Sequence, residues 1–165
     1  MHEMAFNENG NLIITPAKYS SQNDFDFLVG KWNIHNRKLI SRLINSNEWI
    51  EFDATHEMRK VLGGAGNVEN ISATIDKKPF EGMAIRLFNA ATKLWSIYWA
   101  DNNSGTMGEP VIGSFENNVG FFFGKDIFNG QEIILQFKWD ATNPDRPVWS
   151  QAFSADNGKT WEWNW

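Results

Sequence analysis

Short apolar runs separated by turn residues fill the chain from residue 30 onward. Each run has about the length of a β-strand, and no segment there has the 3.6-residue periodicity of an amphipathic helix. Aromatic and β-branched residues, which favour strands, are frequent in these runs. The pattern predicts ten strands, at about 31–41, 47–59, 66–75, 81–89, 93–101, 109–116, 119–127, 131–139, 147–154 and 160–165.

The turn residues between these runs predict hairpins between successive strands. Asn129-Gly130 and Asn157-Gly158 each separate two apolar runs, and Asn-Gly supplies the positive φ of a two-residue hairpin turn. A long meander of hairpins avoids exposed sheet edges by closing on itself. We therefore predict an all-β fold, a closed antiparallel up-and-down barrel of about ten strands.

The segment before the first strand predicts a plug and an arm. Asn23-Asp24 is suited to cap one helical turn ahead of the apolar residues at 25–28, and Gly30 permits a sharp turn into the strand. Residues 1–22 are polar, and within them only Leu12–Ile14 is suited to pair or pack. The prediction is an arm at 1–22 and a single barrel domain at 23–165 with a short N-terminal helical plug.

Two of the predicted strands, 82–88 and 93–101, carry apolar residues on both faces. A barrel strand with water outside is expected to alternate apolar and polar residues. The outer face is therefore covered either by the arm or by a second copy of the chain, unless these are ordinary surface apolar residues. We predict a homodimer through this face, because a twofold interface places the same patch against itself.

Composition removes several classes of function. The net charge is −5, and the chain lacks the basic footprint expected for nucleic-acid or anionic-membrane binding. It has no cysteine, so disulfides, thiolate metal sites and cysteine nucleophiles are excluded. The first fifteen residues resemble no signal peptide, and no apolar run is long enough for a membrane helix. We expect a cytoplasmic protein without nucleic-acid or membrane partners.

Motifs for metal binding or covalent catalysis are not evident in the sequence. The three histidines are His2 in the arm, which we interpret as incidental, and His35 and His56 on strands. They form no His-x-His or His-x-x-x-His pair, so no metal is predicted. The Gly-x-Ser-x-Gly turn of serine hydrolases is also missing.

Charged and hydrogen-bonding residues within apolar strands are the candidate site. If Arg37 and Arg86 point inward, each buried charge needs a partner, and Glu57 is the candidate carboxylate. The opposing interpretation is that all three point into solvent. Tyr98 and Trp99 are adjacent on one strand, so a bulge or a site at the barrel mouth is needed for both to take part. The predicted ligand-binding residues are His35, Arg37, Glu57, Arg86, Tyr98, Trp99 and Gln151.

Several sequence blocks, taken in order, carry a resemblance to a known family. They are Asp24-Phe-Asp-Phe-Leu-Val-Gly-Lys-Trp32, His35-Asn-Arg-Lys-Leu39, Leu62-Gly-Gly-Ala-Gly-Asn67, Arg86-Leu-Phe, Trp95-Ser-Ile-Tyr-Trp-Ala-Asp101, Trp149-Ser-Gln-Ala-Phe-Ser154 and Lys159-Thr-Trp-Glu-Trp-Asn-Trp165. Together they resemble a bacterial domain family of unknown function among the calycin-like barrels, which include lipocalins, fatty-acid-binding proteins and nitrobindins. The resemblance covers residues 24–165 and implies a closed barrel with an interior cavity, but no established activity.

The resemblance also bears on cofactors. Nitrobindin-like members bind haem, and their opening follows a Gly-x-Trp-x-Gly-x-Gly pattern. In this chain Asn33-Ile34-His35-Asn36 lacks the later glycines, and the last strand, Trp161 to Trp165, has no histidine to serve as an axial ligand. We therefore predict no cofactor.

Three functions remain open at this point. The first is a binding barrel for a small hydrophobic or weakly acidic ligand, without chemistry of its own. The second is an enzyme in the same cavity, with Glu57 or His35 as acid or base and Arg37 or Arg86 holding an oxyanion. The third is a structural or interaction protein whose barrel is filled by its own aromatic side chains. The sequence favours the first, because no catalytic constellation is evident.

Overall fold

The computed structural model describes residues 4–165, and strands make up most of that range. Helical structure there is confined to two 3-10 turns of three residues each, Asp26–Leu28 and Leu62–Gly64. The strands are β1 (Met4–Phe6), β2 (Leu12–Ile14), β3 (Gly30–Leu39), β4 (Trp49–Val61), β5 (Gly66–Ile75), β6 (Lys78–Asn89), β7 (Leu94–Asp101), β8 (Val111–Glu116), β9 (Val119–Phe128), β10 (Gln131–Asp140), β11 (Val148–Ser154) and β12 (Glu162–Trp163).

Strands β3 to β12 form one antiparallel sheet in which each strand pairs with its neighbours in the chain. Asn129 and Gly130 have φ values of 50° and 80° and form the predicted two-residue turn between β9 and β10. Asn157 and Gly158 also have positive φ, 58° and 84°, but they lie in the longer connection 155–161, so the predicted two-residue turn there is wrong. The all-β class and the ten-stranded meander are therefore confirmed. The sheet curls into a half-barrel with a concave and a convex face.

The predicted closure of the barrel is wrong. The sheet ends at β3 on one side and at β12 on the other, with no ladder between them. β12 has only two residues, which is too short to pair along the ten residues of β3. One backbone hydrogen bond, from Leu39 N–H to the Asn164 carbonyl at 3.0 Å, joins the two edges at one point. We call this point the seam.

The predicted helical plug is also wrong, although the segment does fill one end of the half-barrel. Asp26–Leu28 makes a single 3-10 turn, since so short a segment does not recover the cost of nucleating an α-helix. Phe25 and Leu28 are nevertheless 1% and 2% exposed. The end of the half-barrel is thus filled by the side chains of an irregular segment, which we call the plug segment (residues 20–28).

Glycines on the inner side allow the sheet to curl tightly. A Cβ on Gly82 would collide with the Trp99 ring of the neighbouring strand. A Cβ on Gly113 would collide with the Phe121 carbonyl. The close approach of backbone and ring at these two positions therefore requires glycine.

The N-terminal arm packs on the convex face over β8 and β9. The Ala17 N–H donates to Ser114 Oγ at 2.9 Å, and Lys125 Nζ donates to the Gly10 carbonyl at 2.6 Å. Lys125 also lies 5.7 Å from the Phe6 ring centroid. The Leu12–Ile14 piece is part of this arm and pairs with Met4–Phe6 as a small hairpin. His2 lies outside the described residues.

The two-sided apolar strands identified in the sequence are β6 and β7. Their convex side chains, including Ile85 and Tyr98, are half-buried and lie opposite one another across the two strands. The arm contacts given above fall on β8 and β9, so they do not account for this patch. A homodimer through this face stays a prediction.

Candidate functional site

Side chains that alternate along the strands divide cleanly between the two faces. On β3 and β4 the concave face carries the even-numbered residues, among them Trp32 and His56, which pair directly. On β5 and β7 the concave residues are odd-numbered, and on β6 they are even-numbered. This assignment of faces decides which of the predicted site residues can meet.

One half of the concave face is packed solid by aromatic rings. Phe25 of the plug segment meets Trp95 edge-on at 5.0 Å and Phe115 edge-on at 4.9 Å between ring centroids. It also stacks on Phe122 at 5.8 Å, a side chain with no exposed surface. Edge-to-face and offset packing of this kind is the favoured geometry for aromatic pairs. Phe25, Trp95, Phe115 and Phe122 are each at most 5% exposed as a result.

A buried ionic cluster lies directly beneath that packing. The Arg86 guanidinium donates to Asn67 Oδ1 at 3.0 Å and makes a very short hydrogen bond to the Glu69 carboxylate. The guanidinium also lies 4.9 Å from the centroid of Phe25. Arg86, Glu69 and Asn67 are each 2–3% exposed. A buried arginine is tolerated here because the Glu69 carboxylate neutralises its charge and the Asn67 amide oxygen accepts one of its hydrogen bonds.

His56 extends the cluster along β4. Its Nδ1 lies 3.2 Å from Glu69 Oε1, and because an ionised carboxylate only accepts, Nδ1 must carry the hydrogen. His56 Nε2 and Arg86 Nε are both buried and have no hydrogen-bond partner among the described residues. Because protein atoms cover Nε2, no substrate atom reaches it in this structure.

The charge of Glu69 is strongly favoured despite its burial. Burial by itself raises the pKa of this carboxyl, but the Arg86 charge and the hydrogen bond with His56 outweigh it and lower the pKa to about 2. The carboxylate is therefore ionised at neutral pH. Glu69 and Arg86 therefore form a buried pair of opposite charges inside the half-barrel.

The other half of the concave face is open. Phe80 stacks on Trp99 with 6.4 Å between centroids and an interplanar angle of 21°, and Trp99 Nε1 donates to Asp101 Oδ2 at 3.0 Å. The apolar side chains here are half-buried rather than buried. They are Ile34, Ile71, Ala73, Phe80 and Trp99, and we call them the open half.

Two cations lie beside the open half, at the seam. Lys38 Nζ lies 4.3 Å from the Trp165 ring centroid, and the Arg42 guanidinium lies 5.9 Å from the same ring. Trp165 in turn donates from Nε1 to Asn36 Oδ1 at 3.1 Å. Burial lowers the pKa of both cations, and the Arg42 charge lowers that of Lys38 further. Cations and an aromatic ring therefore share the point where the two edges of the sheet meet.

Three of the predicted site residues lie on the convex face, which corrects the predicted inner pair. His35, Arg37 and Glu57 are odd-numbered residues of β3 and β4, and all are exposed. Since Glu57 faces solvent, it is not the partner of Arg86; that partner is Glu69. Exposed charges in apolar strands here follow the ordinary rule that such charges point to water.

The remaining predicted residues divide between the faces. Tyr98 is half-buried on the convex face, while Arg86, Trp99 and Gln151 are on the concave face. Gln151 Nε2 donates to Asn164 Oδ1 at 2.9 Å, so Gln151 ties β11 to the segment after β12. Of the seven predicted residues, three therefore share the concave face, and the other four lie on the convex face.

The convex side of β3–β5 holds a shallow depression of about 430 Å³. His35 Nδ1 lies 2.9 Å from Asp53 Oδ1 there, and that hydrogen bond raises the pKa of the exposed His35. Its lining combines polar and apolar residues, and it is a shallow depression and not the enclosed cleft of a typical small-molecule pocket. The polar residues are Asn33, His35, Asp53, Thr55 and Ser72, and the apolar ones are Ile34 and Ala54.

His56, Asn67 and Glu69 were missed as site residues in the sequence. The sequence does contain a signal that marks Asn67 and Glu69 as unusual. Both share a strand face with Ile71, because side chains alternate along a strand. Two polar residues therefore stand on an otherwise apolar face. Their meeting with Arg86 depends on the register of β5 and β6, in which Asn67 lies opposite Arg86. That register is a property of the folded sheet and not of any one strand.

Comparison with known proteins adds no family. No protein-family model matches the sequence, and no curated protein matches it either. Within residues 4–165, no group of three or more histidine and acidic side chains is placed to hold a metal ion. None of the helical segments described is long and apolar enough to cross a membrane. The calycin-like resemblance therefore stays a prediction.

Proposed function

We propose that this protein binds a small, largely apolar molecule on the open half of its concave face. One observation carries the proposal: the plug segment fills one end of the half-barrel and leaves the apolar side chains of the other end half-exposed. Phe25 and Phe122 are at most 1% exposed, whereas Phe80 and Trp99 are only half-buried. A concave, aromatic-lined surface of this kind is typical of small-molecule sites.

The alternative of a self-filled barrel fits only half of the molecule. A protein that fills its own interior is expected to bury its inward aromatic rings throughout, since interiors are close-packed. Here close packing ends beyond the Arg86 cluster. The apolar side chains on the far side of that cluster remain available for an added molecule.

Three of the residues predicted for the cavity-enzyme alternative do not line the concave face. His35, Arg37 and Glu57 are exposed on the convex face, away from the apolar concavity. The pair formed by His56 and Glu69 has the residue types of a general base with its orienting carboxylate. Its free nitrogen is covered by protein, so we propose binding without catalysis.

Calorimetry and NMR with 1-decanol as a neutral apolar probe test this proposal. Binding is expected to shift the indole N–H signal of Trp99 and not that of Trp163, which is 43% exposed. Ala73→Phe places a ring on the open half and is expected to weaken decanol binding about tenfold or more, by occupying the apolar surface.

The matched control is Thr74→Phe, one position along β5 on the exposed face. It adds the same ring outside the concavity and is expected to leave decanol affinity unchanged. Circular dichroism establishes that both variants keep the fold. Equal affinities for Ala73→Phe and the wild type, with the fold intact, would contradict binding on the open half.

A further inference from the structure

Lys38 and Arg42 stand at the seam without an anionic partner. Neither side chain makes a hydrogen bond or an ion pair with another of residues 4–165, and Arg42 Nη2 is buried without a partner. Both cations lie near the Trp165 ring, and Arg42 lies closer still to the Phe153 ring, at 5.2 Å. The two half-buried cations repel each other, and both have a pKa lowered by burial. Cations placed in this way normally have a carboxylate beside them.

The two carboxylates whose charges act on these cations accept their hydrogen bonds from other groups. Both oxygens of Glu162 accept from the Leu43 N–H, at 3.0 and 2.8 Å. Asp101 accepts from Trp99 Nε1 and from the backbone N–H groups of Asn103 and Ser104, each at 3.0 Å. Their charges act on the two cations without a hydrogen bond or ion pair. The Asp101 charge raises the pKa of Lys38, and the Glu162 charge raises that of Arg42. Burial lowers both pKa values by more.

Concave side chains of β3 and β4 connect the seam to the open half. Trp165 donates to Asn36, which lies between Lys38 and Ile34 on the concave side of β3. Ile34 belongs to the open half. On β4, Phe52 pairs with Asn36 and meets the Trp165 ring at 6.1 Å between centroids. A molecule with one end at the cations can therefore extend its other end past Trp165 and Phe52 toward the open half.

We infer that Lys38 and Arg42 bind the anionic group of an amphipathic molecule, a carboxylate or a phosphate monoester, whose apolar part lies on Trp165 and the open half. An anion between the two cations supplies the missing hydrogen bonds and removes their mutual repulsion. The apolar part of this inference rests on the proposed function above. The anion site itself rests only on the two cations and their surroundings.

The test compares four probes by calorimetry: decanoate, decyl phosphate, 1-decanol and inorganic phosphate. Charge-assisted hydrogen bonds predict that decanoate and decyl phosphate bind at least about tenfold more tightly than decanol. The tighter of the two anions identifies the anionic group. Inorganic phosphate, which has no apolar part, is expected to bind at least about tenfold more weakly than decyl phosphate.

Variants locate the anion site. Lys38→Met and Arg42→Leu are each expected to reduce the preference for decanoate over decanol about tenfold while leaving decanol affinity unchanged. The matched controls, Lys31→Met and Arg59→Leu, remove exposed cations from the convex sides of β3 and β4. They are expected to leave the affinities for both probes unchanged.

The outcomes separate this inference from the proposed function. If decanol binds as tightly as decanoate, or if both seam variants keep the decanoate preference, the anion site is overturned while binding on the open half stands. If inorganic phosphate binds as tightly as decyl phosphate, the amphipathic ligand is overturned. If decanol fails to bind but the anions bind through Lys38 and Arg42, the proposed function fails and the anion site stands.

Discussion

Arg86 and the pair formed by Lys38 and Arg42 are cations on the same concave face, but their surroundings differ. Arg86 has Glu69 and Asn67 as partners and is 2% exposed. Lys38 and Arg42 are half-buried and have an aromatic ring as their main neighbour. The first arrangement is complete within the chain, and the second is not.

The difference distinguishes a cation that stabilises the fold from a cation that is suited to bind a ligand. A buried ion pair whose partners both belong to the chain contributes to the fold, and removing one partner is costly. A half-buried cation without an anionic partner gains only its contact with an aromatic ring, and its desolvation lowers stability. The comparison therefore predicts opposite effects on stability when the two kinds of cation are removed.

Removal of the structural cation is expected to have the largest effect. Arg86→Met leaves the Glu69 carboxylate buried without its guanidinium partner, so we expect the free energy of unfolding to fall by about 3–5 kcal/mol. Chemical denaturation measures this loss. Arg59→Met, at an exposed position of β4, is the control and is expected to stay within about 0.5 kcal/mol of the wild type. A loss below about 1 kcal/mol for Arg86→Met would contradict a stabilising role of the Arg86–Glu69 pair.

The pH dependence of Glu69 is expected to have the next largest effect. The pKa of this carboxyl is lowered from 4.5 to about 2, so its stabilising contribution is complete above pH 4.5 and is lost as the pH falls toward 2. The stability advantage of the wild type over Glu69→Gln should therefore shrink by about 3 kcal/mol across that window. Denaturation of both proteins at several pH values measures it. An advantage that does not change with pH would contradict an ionised Glu69.

The smallest effect is expected at the seam, with the opposite sign. Lys38→Met replaces a half-buried cation with an apolar side chain of similar length, so we expect stability to rise by about 0.5–1 kcal/mol. Lys31→Met, on the exposed face of the same strand, is expected to change stability by less than about 0.5 kcal/mol. A loss of stability in Lys38→Met and none in Lys31→Met would make Lys38 a structural residue.

The strands and turns could be predicted from the sequence because their signals are local. Asn129-Gly130 has the positive φ that its hairpin needs, and each apolar run is bounded by residues of this kind. Closure of the barrel could not be predicted, since it depends on how many residues of the last segment pair. That segment forms a two-residue strand.

The faces of the strands were harder to predict because aromatic residues occupy both of them. Glu57 and Glu69 are both carboxylates within strands, and no local pattern decides which of them meets Arg86. The register of β5 on β6 decides it, since Asn67 lies opposite Arg86 and Glu69 is the next concave residue of β5. The seam cations were missed for a related reason: Lys38 and Arg42 meet Trp165 only because the two ends of the sheet come together.

The pKa of Lys38 tests the account most directly, because burial and the Arg42 charge lower it in the free protein. An anion bound between the two cations favours the charged form, so decanoate is expected to raise this pKa. NMR titration of the lysine side-chain signals, assigned by Lys38→Met, measures it, with exposed Lys31 as the internal control. A rise at Lys38 but not at Lys31 is the predicted result. A pKa of Lys38 that is the same with and without saturating decanoate would contradict the anion site.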